Sequence, residues 1–468
     1  MKKMLLLLLL LSGCKVHQTL NYDLPTVCVP CSFLESFDGK KMVGPWWGEF
    51  EDPELWQLMD DAFCGNLELA QAGDRYCQAR YLAKVFAADR YPFLDLNFNT
   101  VHSKVIKGLP SPEIDAADPA IAVEPVGNTN QDLINLTFQV SYEVDLWRRI
   151  DSIARASCHR ANAAYFDYQA TALSVTGQIA EAWFILNEQK ELYALLQEQV
   201  RVNQTQVELL ELRFSVGESS ALDVYQQRLI LAATKADIPP VVSALITANY
   251  RLNKLLGLPP EHRFDKQDGG TLPDVAPLPD TGLPCNLFTS RPDLRASFEE
   301  LWAADYEVAA AIADRFPRIN LFVDYEFTAF SWQSLFQQEV LSVTGNLFQP
   351  LIDWGKRKAE VNRTKAVVQE RLHGFSELFL QALLEVESSL TQEKEQRNLI
   401  ALLQEQWHIA ESNLTQAQLR YLNGLNDYLT VIAAIQSKQE VERRLISERK
   451  NLLMIRADLY RALGGNIF

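Results

Sequence analysis

The chain has 468 residues, a net charge of −16 and 48% hydrophobic residues. An acidic chain is a poor partner for nucleic acid, and this length allows more than one domain. Beyond the N-terminus no uninterrupted run of eighteen apolar residues occurs, so we expect no transmembrane helix in the mature chain. If the protein crosses a membrane, it must then do so as a β-barrel.

The first fourteen residues have the features of a bacterial lipoprotein signal peptide. Lys2 and Lys3 precede a short apolar core, which ends in the four residues Leu11–Cys14. This core is too short to span a bilayer, so we expect it to be removed and Cys14 to carry acyl chains such as palmitate. Lys15 replaces the Asp that usually retains lipoproteins in the inner membrane. The alternative is a plain cleaved signal peptide with an incidental cysteine.

Four segments alternate apolar and polar side chains as half-buried strands do. The alternation is strict over 134–146 and again over 319–328, and it is weaker at 94–98 and 341–347. Four strands cannot close a barrel, because the smallest transmembrane barrels have about eight, and lipid does not tolerate an open strand edge. Either the strands form a soluble sandwich, or several chains share one barrel. Three chains would supply twelve strands.

A heptad pattern predicts two very long helices. Every seventh residue from Tyr165 to Phe214 is apolar, as expected for the seam of a helix roughly 90 Å long. The series from Leu372 to Tyr421 repeats this pattern less cleanly, with Glu393 at one of its positions. The alternative to a channel is a coiled-coil envelope lipoprotein without a pore, but such a rod leaves the strands unexplained.

The chain contains an internal repeat in two registers. Arg213-Phe214-x-x-Gly217 recurs as Arg420-Tyr421-x-x-Gly424, 207 positions later. Further upstream, Asp89-Arg90-x-Pro92 recurs as Asp314-Arg315-x-Pro317, 225 positions later. The change of offset indicates an insertion, most simply the longer loop around residues 106–130. Each half should therefore run helix, strand, loop, strand, very long helix, glycine turn, helix.

These patterns predict five segments. After the signal peptide (1–13) come a lipid-anchored N-terminal segment (14–52) and the first repeat (53–258). A stretch rich in Pro, Gly and Asp (259–290) is predicted to link it to the second repeat (291–468).

A proline pair distinguishes the two halves. Pro239-Pro240 should break or kink the helix that returns after the first glycine turn. The second half has no proline at the matching place, so its returning helix should be continuous.

Six cysteines besides Cys14 leave disulfides, free thiols and a metal site open. An exported chain meets an oxidising compartment, in which some cysteines could pair. Cys28 and Cys31 are spaced for a local disulfide, whereas zinc would need a second ligand pair that His17 alone does not supply. The remaining four are Cys64, Cys77, Cys158 and Cys285.

The sequence has no pattern typical of catalysis or cofactor binding. Its six histidines show no metal-ligand spacing, and it has neither a Gly-rich phosphate loop nor a nucleophile elbow. We therefore expect no enzyme, no cofactor and no metal, and energy for transport would come from partner proteins.

An ordered set of short motifs resembles the outer membrane factor family. This family comprises the TolC/OprM-like outer membrane efflux proteins, and the likeness is strongest to its lipid-anchored NodT-type branch. Each motif is weak alone, but their order covers nearly the whole mature chain. The motifs are Trp46-Trp47-x-x-Phe50-x-Asp52-Pro53, Asn66-Leu67-Glu68-Leu69, Asp145-Leu146-Trp147, Arg213-x-x-x-Gly217-x-x-Ser220-x-Leu222-Asp223-Val224 and Gln349-Pro350-Leu351-Ile352-Asp353-x-Gly355.

The resemblance implies an α+β fold that is mostly α. Three chains would share a twelve-stranded transmembrane β-barrel, and their long helices would form a periplasmic α-barrel. The implied assembly is a homotrimer in outer-membrane lipid, with a periplasmic adaptor (membrane fusion) protein and an inner-membrane pump. Small molecules would leave through it passively. An exit duct for type I protein secretion is the alternative.

The resemblance also implies where the adaptor binds. The turns at Gly217 and Gly424 would lie at the periplasmic tips and meet the adaptor. Each glycine also fits an ordinary helix C-cap, and the two interpretations are compatible.

The sequence departs from the family at one strand-to-helix junction. Arg148 stands where the family usually has Gly, whereas Gly355 keeps that Gly in the second half. The first junction must therefore avoid a positive φ or accept its strain.

A second departure concerns the periplasmic mouth, which family members often close with acidic side chains. The positions expected to be acidic hold Thr430 and Ala433, although Asp427 lies near the tip. Leu429 is therefore the apolar gate candidate, since rings of Leu side chains can close a narrow mouth by dewetting. We expect weak block by trivalent cations.

Overall fold

The computed structural model describes residues 17, 30, 32–34, 44–105, 129–262, 271–279 and 281–466. Cys14, Cys28 and Cys31 lie outside these residues, so the lipid anchor and the local disulfide remain predictions. The described chain divides into two compact units. One contains Ala79–Ala161 and Leu301–Arg371, and the other contains Asn162–Glu300 and the chain from Leu372 onward. Each unit therefore draws on both halves of the repeat, and the predicted domain boundaries remain a prediction.

Nine α-helices lie in the part of the chain that the structure describes. They are α1 (Pro53–Gly65), α2 (Leu67–Ala88), α3 (Arg149–Ser215), α4 (Ala221–Ala236), α5 (Ile238–Leu255), α6 (Leu287–Ser290), α7 (Pro292–Ala313), α8 (Lys356–Leu422) and α9 (Tyr428–Ala462). Short 3₁₀ turns at Trp46–Phe50, Pro284–Asn286 and Trp332–Ser334 complete the helical structure.

The lengths of the helices confirm the internal repeat. Helices α2 and α7 each have 22 residues, and their first residues, Leu67 and Pro292, are separated by the upstream offset of 225. Helices α3 and α8 each have 67 residues, and their first residues, Arg149 and Lys356, are separated by the downstream offset of 207. The repeat therefore extends from short motifs to whole elements.

All four predicted strands are present and form one antiparallel sheet in the order β1-β2-β3-β4. Their bounds are β1 (Phe93–Val105), β2 (Thr129–Glu143), β3 (Arg318–Ala329) and β4 (Glu339–Phe348). β2 ends three residues before the alternating pattern does. The alternation continues past the strand, because the Asp145 carboxylate accepts hydrogen bonds from the start of α3 and so turns the chain at the predicted junction. The predicted mostly helical α+β fold with four strands is confirmed.

The cross-strand register separates an apolar face from a polar face. On the apolar face the pairing runs Leu96, Phe138, Tyr325, Leu341 across the four strands. On the polar face the adjacent row runs Asp95, Gln139, Asp324, Ser342. Gln139 there donates to the Asp324 carboxylate at 2.8 Å. The apolar side chains of β1 and β4 are exposed in the single chain.

The predicted break in the returning helix is confirmed. Helix α4 ends at Ala236, and α5 begins at Ile238, with the proline pair in its first turn. Proline is tolerated there because the first N–H groups of a helix have no partner within the helix. In the second half, α9 continues for 35 residues without a break.

One helical stretch of the described residues has the length and composition of a membrane span, although it contains no uninterrupted run of eighteen apolar residues. By length and composition alone, Ala221–Leu255 is sufficiently long and apolar, with a mean hydropathy of 1.6 in its best window. The search for uninterrupted apolar runs missed it because polar residues are interspersed. Val224, Gln227, Ile230 and Thr234 are buried at coiled-coil spacing, whereas most of the window is exposed.

The core of the second unit explains both the heptads and their interruption. In α3 the predicted heptad series has exposed ends, Tyr165 and Phe214. A second set of residues at seven-residue spacing, which runs from Val175 to Leu210, is largely buried. In α8 the polar interruption, Glu393, is buried against Arg456 of α9. The Nε–H of Arg456 donates to Oε2 of Glu393 at 2.8 Å. A buried acidic residue at a heptad position is therefore matched by a buried base.

The predicted linker is partly packed onto the helices. The Arg456 guanidinium also donates to the carbonyl oxygens of Ala276 and Pro277, both at 3.0 Å. Leu272, in the same segment, is buried in the aromatic core around Trp46 and Tyr460. This part of the linker is thus bound to the helices at defined contacts.

Candidate functional site

The two glycine turns have the same backbone geometry. Gly217 has a φ of +82° and Gly424 a φ of +71°. In each turn the glycine N–H donates to the carbonyl three residues earlier, at 3.0 Å to Phe214 and 2.9 Å to Tyr421. This is the left-handed C-cap of a helix, in which glycine avoids the strain of a Cβ. A Cβ at either position would meet no atom within 4 Å, so the requirement for glycine is conformational rather than steric.

Both turns are surrounded by exposed apolar side chains. Such clusters are typical of surfaces that bind another protein. Around the first turn they are Leu212, Phe214, Val216, Leu222 and Tyr225, and around the second Leu419, Leu422, Leu425 and Leu429. This apolar surface, together with Gly217 and Gly424, is called the tip surface below.

The four gate candidates lie together at the start of α9. Asp427 precedes the helix, and its side chain makes no capping hydrogen bond to the described backbone. Leu429 is 60% exposed, and Thr430 and Ala433 are exposed on the same side of the helix. The first turn buries Tyr428 on its other side. The candidates are therefore free to face a neighbouring molecule or a lumen, while the helix stays bound through its buried side.

A buried polar layer near the tip surface was not predicted. Asn203 of α3 donates to the Thr234 hydroxyl of α4 at 3.0 Å and accepts from Gln439 of α9 at 3.3 Å. The Tyr428 hydroxyl donates to the side-chain oxygen Oε1 of Gln227 at 2.9 Å. These hydrogen bonds tie α3, α4 and α9 together on the buried side of α9, and the Tyr428 contact lies beside the gate candidates. The sequence signal was Asn203, a polar residue in an otherwise mostly apolar heptad series.

The two strand-to-helix junctions both use a positive φ. Arg148 has a φ of +60°, so it accepts the strain that glycine avoids, and Gly355 has a φ of +85°. At the first junction, Asp145 accepts from the N–H groups of Ile150 and Asp151. At the second, Asp353 accepts from Arg357 at 3.2 Å and from Gly355 at 3.0 Å, which holds the pKa of Asp353 below its usual value. Each carboxylate thus caps a helix of 67 residues.

The described cysteines and acidic residues form no metal centre. Cys64, Cys77, Cys158 and Cys285 are free and exposed. Within the ranges that the structure covers, no group of three or more His, Cys, Asp or Glu side chains could hold a metal ion.

Comparisons with known proteins agree with this geometry. The sequence profile of the outer membrane efflux protein family matches residues 58–258 and 283–465. The pyoverdine export outer membrane protein OpmQ of Pseudomonas putida is 26% identical over 428 residues, which cover 90% of this chain and 87% of that protein. The cation efflux system protein CusC of Escherichia coli K12 is 25% identical over 480 residues, covering 98% and 97%.

A solved structure has the same fold over nearly the full length. The outer-membrane channel OprN superimposes with a TM-score of 0.85 and 25% identity, over 97% of this chain and 99% of that one. The family resemblance drawn from the motifs is thereby confirmed, and so is a channel rather than a coiled-coil rod. The chain therefore belongs to the outer membrane efflux protein family and is an exit channel of the outer membrane.

Proposed function

We propose that three copies of this chain form the outer-membrane duct of a tripartite efflux system. The observation that carries this proposal is the sheet. Among the described residues β1 and β4 each have an edge without a partner strand, and their apolar side chains are exposed. Lipid can cover an apolar face, but it cannot satisfy the backbone groups of an open edge. Pairing of edges between three copies resolves both problems in one twelve-stranded barrel.

In this proposal the long helices of the three copies form the periplasmic part of the duct. The mostly exposed, apolar stretch Ala221–Leu255 would then be covered by a neighbouring copy. The tip surface would bind a periplasmic adaptor, and an inner-membrane pump would supply the energy. The duct itself is passive, in keeping with a family of channels rather than enzymes.

The cargo is proposed to be small molecules. The relatives are named for export of chemically different solutes, pyoverdine, toluene and cations. Because related ducts of one family serve such different solutes, we propose that selection lies mainly with the pump.

We also propose that Cys14 is acylated and faces the outer membrane. Metabolic labelling with an alkyne analogue of palmitate should mark the wild-type protein and leave Cys14→Ser unmarked. Equal labelling of both proteins would exclude acylation at Cys14, and absence of labelling in both would favour the plain cleaved signal.

The trimeric channel is tested with detergent extracts and planar bilayers. Unheated extract should run as a trimer on a gel and as a monomer after boiling, and the trimer should conduct ions. Val343→Lys on the apolar face should prevent insertion, since a cation at mid-bilayer costs about 2–4 kcal/mol. Ser342→Lys, on the polar face of the same strand, is the matched control and should insert. A purified monomer that is stable without detergent would contradict the proposal.

A further inference from the structure

Trp147 is held by residues from the other half of the repeat. Its indole ring stacks on Phe316 with ring centroids 4.7 Å apart. Its Nε1–H donates to the Pro317 carbonyl oxygen at 2.9 Å. Trp147 follows β2, and Phe316 precedes β3. The contact therefore joins the first half to the second beside the β2–β3 pair.

The equivalent residues of the two halves are both left uncovered. Trp354 occupies the position of Trp147 in the second half, and it is 97% exposed. Tyr91 occupies the position of Phe316 in the first half, and it is 70% exposed. Trp354 also has a φ of +52°, whereas Trp147 does not have a positive φ. Tyr91 thus lies beside the edge strand β1 and Trp354 beside the edge strand β4, and together they have the ring types that the Trp147–Phe316 contact needs.

The two hairpins have identical registers once the repeat offsets are applied. In the first hairpin Phe93 pairs with Ser141, and in the second Arg318 pairs with Phe348. These two pairs are equivalent, since Arg318 follows Phe93 by the upstream offset and Phe348 follows Ser141 by the downstream offset. Adding the upstream offset to a β1 residue and the downstream offset to its β2 partner therefore gives a β3–β4 pair in the observed register.

We propose that β4 of one copy pairs with β1 of the next copy in the β2–β3 register, and that Trp354 stacks on Tyr91 of that next copy. This contact between Trp354 and Tyr91 is called the clasp below. The proposal rests on the trimeric duct proposed above. Within the chain, Val140 pairs with Val323. Conversion of this pair by the two offsets places Leu347 opposite Phe98 of the next copy. The same conversion stacks Trp354 on Tyr91 and directs its indole N–H to the carbonyl of Pro92.

The faces of the strands support this register independently. Leu347 and Phe98 both lie on the apolar face of the sheet, as the pairings across all four strands show. Side chains alternate between faces, so a slip of one residue would place Leu347 opposite Asn97 or Asn99, which lie on the polar face. The offsets come from repeated sequence motifs and agree with the helix positions, so they do not depend on which strand residues are apolar.

Paired cysteines test the register. In a background whose native cysteines other than Cys14 are replaced by Ser, Leu347→Cys with Phe98→Cys should be cross-linked by a short bifunctional methanethiosulfonate. Directly opposed Cβ atoms lie about 4.5–5.5 Å apart, slightly more than a direct disulfide spans. A boiled, non-reduced sample should show covalent dimers and trimers. The matched control, Leu347→Cys with Asn97→Cys, should remain monomeric, as should each single variant.

Alanine substitutions test the clasp. Trp354→Ala and Tyr91→Ala should each lower the temperature at which the trimer dissociates by several degrees, and the double variant should lower it no further. Tyr91→Phe should retain the wild-type temperature, since the equivalent ring in the chain is a phenylalanine.

The outcomes separate this inference from the proposed function. If wild-type protein forms no heat-sensitive trimer, the trimeric duct itself is wrong. If trimers form but the Asn97 pair cross-links, or neither pair does, the register is wrong. If trimers form and Trp354→Ala dissociates at the wild-type temperature, the clasp is wrong.

Discussion

Arg456 and Glu393 form an ion pair that is closed to solvent, with their side chains 1% and 0% exposed. Burial lowers the pKa of Arg456, but the hydrogen bonds and charges of Glu393 and, to a smaller extent, Tyr460 together raise it by more. The net shift is upward and the guanidinium stays charged. Both residues are on helices of the second repeat, and the same guanidinium binds two carbonyls of the linker. One side chain therefore fixes α8, α9 and the segment between the repeats.

Removal of one partner of this pair should destabilise the protein strongly. Glu393→Gln leaves the arginine charge buried without its counter-ion, which costs about 3–5 kcal/mol in comparable pairs. We expect a marked loss in the unfolding temperature of the detergent-solubilised protein. The double variant Glu393→Leu/Arg456→Met should recover most of it, because apolar replacements leave no buried charge. Equal stability of Glu393→Gln and wild type would show that water reaches the pair.

Substitutions at the two strand-to-helix junctions should change the free energy of unfolding in opposite directions, at Arg148 in the first half and at Gly355 in the second. A left-handed non-glycine residue carries roughly 1–2 kcal/mol of strain, part of which Arg148→Gly should relieve. The gain is limited to about 1 kcal/mol because glycine also has more conformational entropy in the unfolded chain. Gly355→Ala introduces the strain and should destabilise. Thermal unfolding of both variants measures the difference, and a stabilised Gly355→Ala would contradict the assignment.

The elements of this fold were predictable where the pattern is long. The alternation at 134–146 and the heptads beginning at Tyr165 extend over enough residues to determine the element type. Alternation alone did not locate the end of β2, because the strand ends where the Asp145 side chain caps α3. An Asp near a strand end marks the end of the strand only when its side chain is known to cap the next helix.

The site was predictable only in part. The glycine turns follow from a repeated motif, and their positive φ follows from the need for a tight reversal. The buried layer around Asn203 was not predictable, since a single polar residue in a heptad does not reveal its partners on two other helices. Glu393 was a similar interruption, and its partner Arg456 is 63 residues away. Long-range polar pairs leave no local periodic signal.

Tyr428 should make stability depend on alkaline pH. Burial first, and then the charges of Tyr421 and Asp223, raise the pKa of Tyr428 above its ordinary value of 10.0. The folded state therefore favours the neutral phenol. Stability is fully present below pH 10 and falls as the pH rises above it. Tyr428→Phe should lose about 1 kcal/mol at neutral pH, because Gln227 loses a hydrogen bond.

The same variant should also lose less stability between pH 8 and pH 11 than wild type does, by about the contribution of one titrating group. Unfolding temperatures across this range measure the slope. Tyr225→Phe is the control, since Tyr225 lies on the same tip but is exposed. An unchanged slope in Tyr428→Phe would mean that another group titrates.

The tip surface should bind the adaptor through its apolar side chains. Phe214→Ser and Leu425→Ser remove exposed apolar area and leave the core unchanged. The trimer of each variant should therefore stay intact in unheated extract and dissociate on boiling, as the wild-type trimer does. Cross-linking in cells from cysteines introduced beside Gly217 and Gly424 should capture the adaptor in wild type and much less of it in these variants. As a control, Leu34→Ser alters an exposed apolar residue outside the tip surface. Capture that is equal in all variants would place the adaptor elsewhere.

The periplasmic mouth should respond weakly to trivalent cations. Thr430 and Ala433 are uncharged, and Leu429 is the exposed apolar side chain beside them. Three copies therefore bring no carboxylate ring to these two positions, and the multivalent attraction that such a ring would provide is missing. Hexamminecobalt(III) should reduce the conductance of the wild-type channel only slightly. Tight block of the wild type would contradict this prediction, and would point to Asp427.

Installing the missing charge should create the block. Thr430→Asp places three carboxylates around the mouth of a trimer, and block by hexamminecobalt(III) should become strong and should weaken with added salt, because exposed charges are screened. Thr430→Asn has the same size without the charge, so it should behave as wild type. Leu429→Ala should raise the conductance instead, because a smaller ring leaves the constriction wetted. A gate at Leu429 and a charge effect at Thr430 are thus separable, since only the Thr430→Asp variant should gain block by the trivalent cation, and only that block should weaken with added salt.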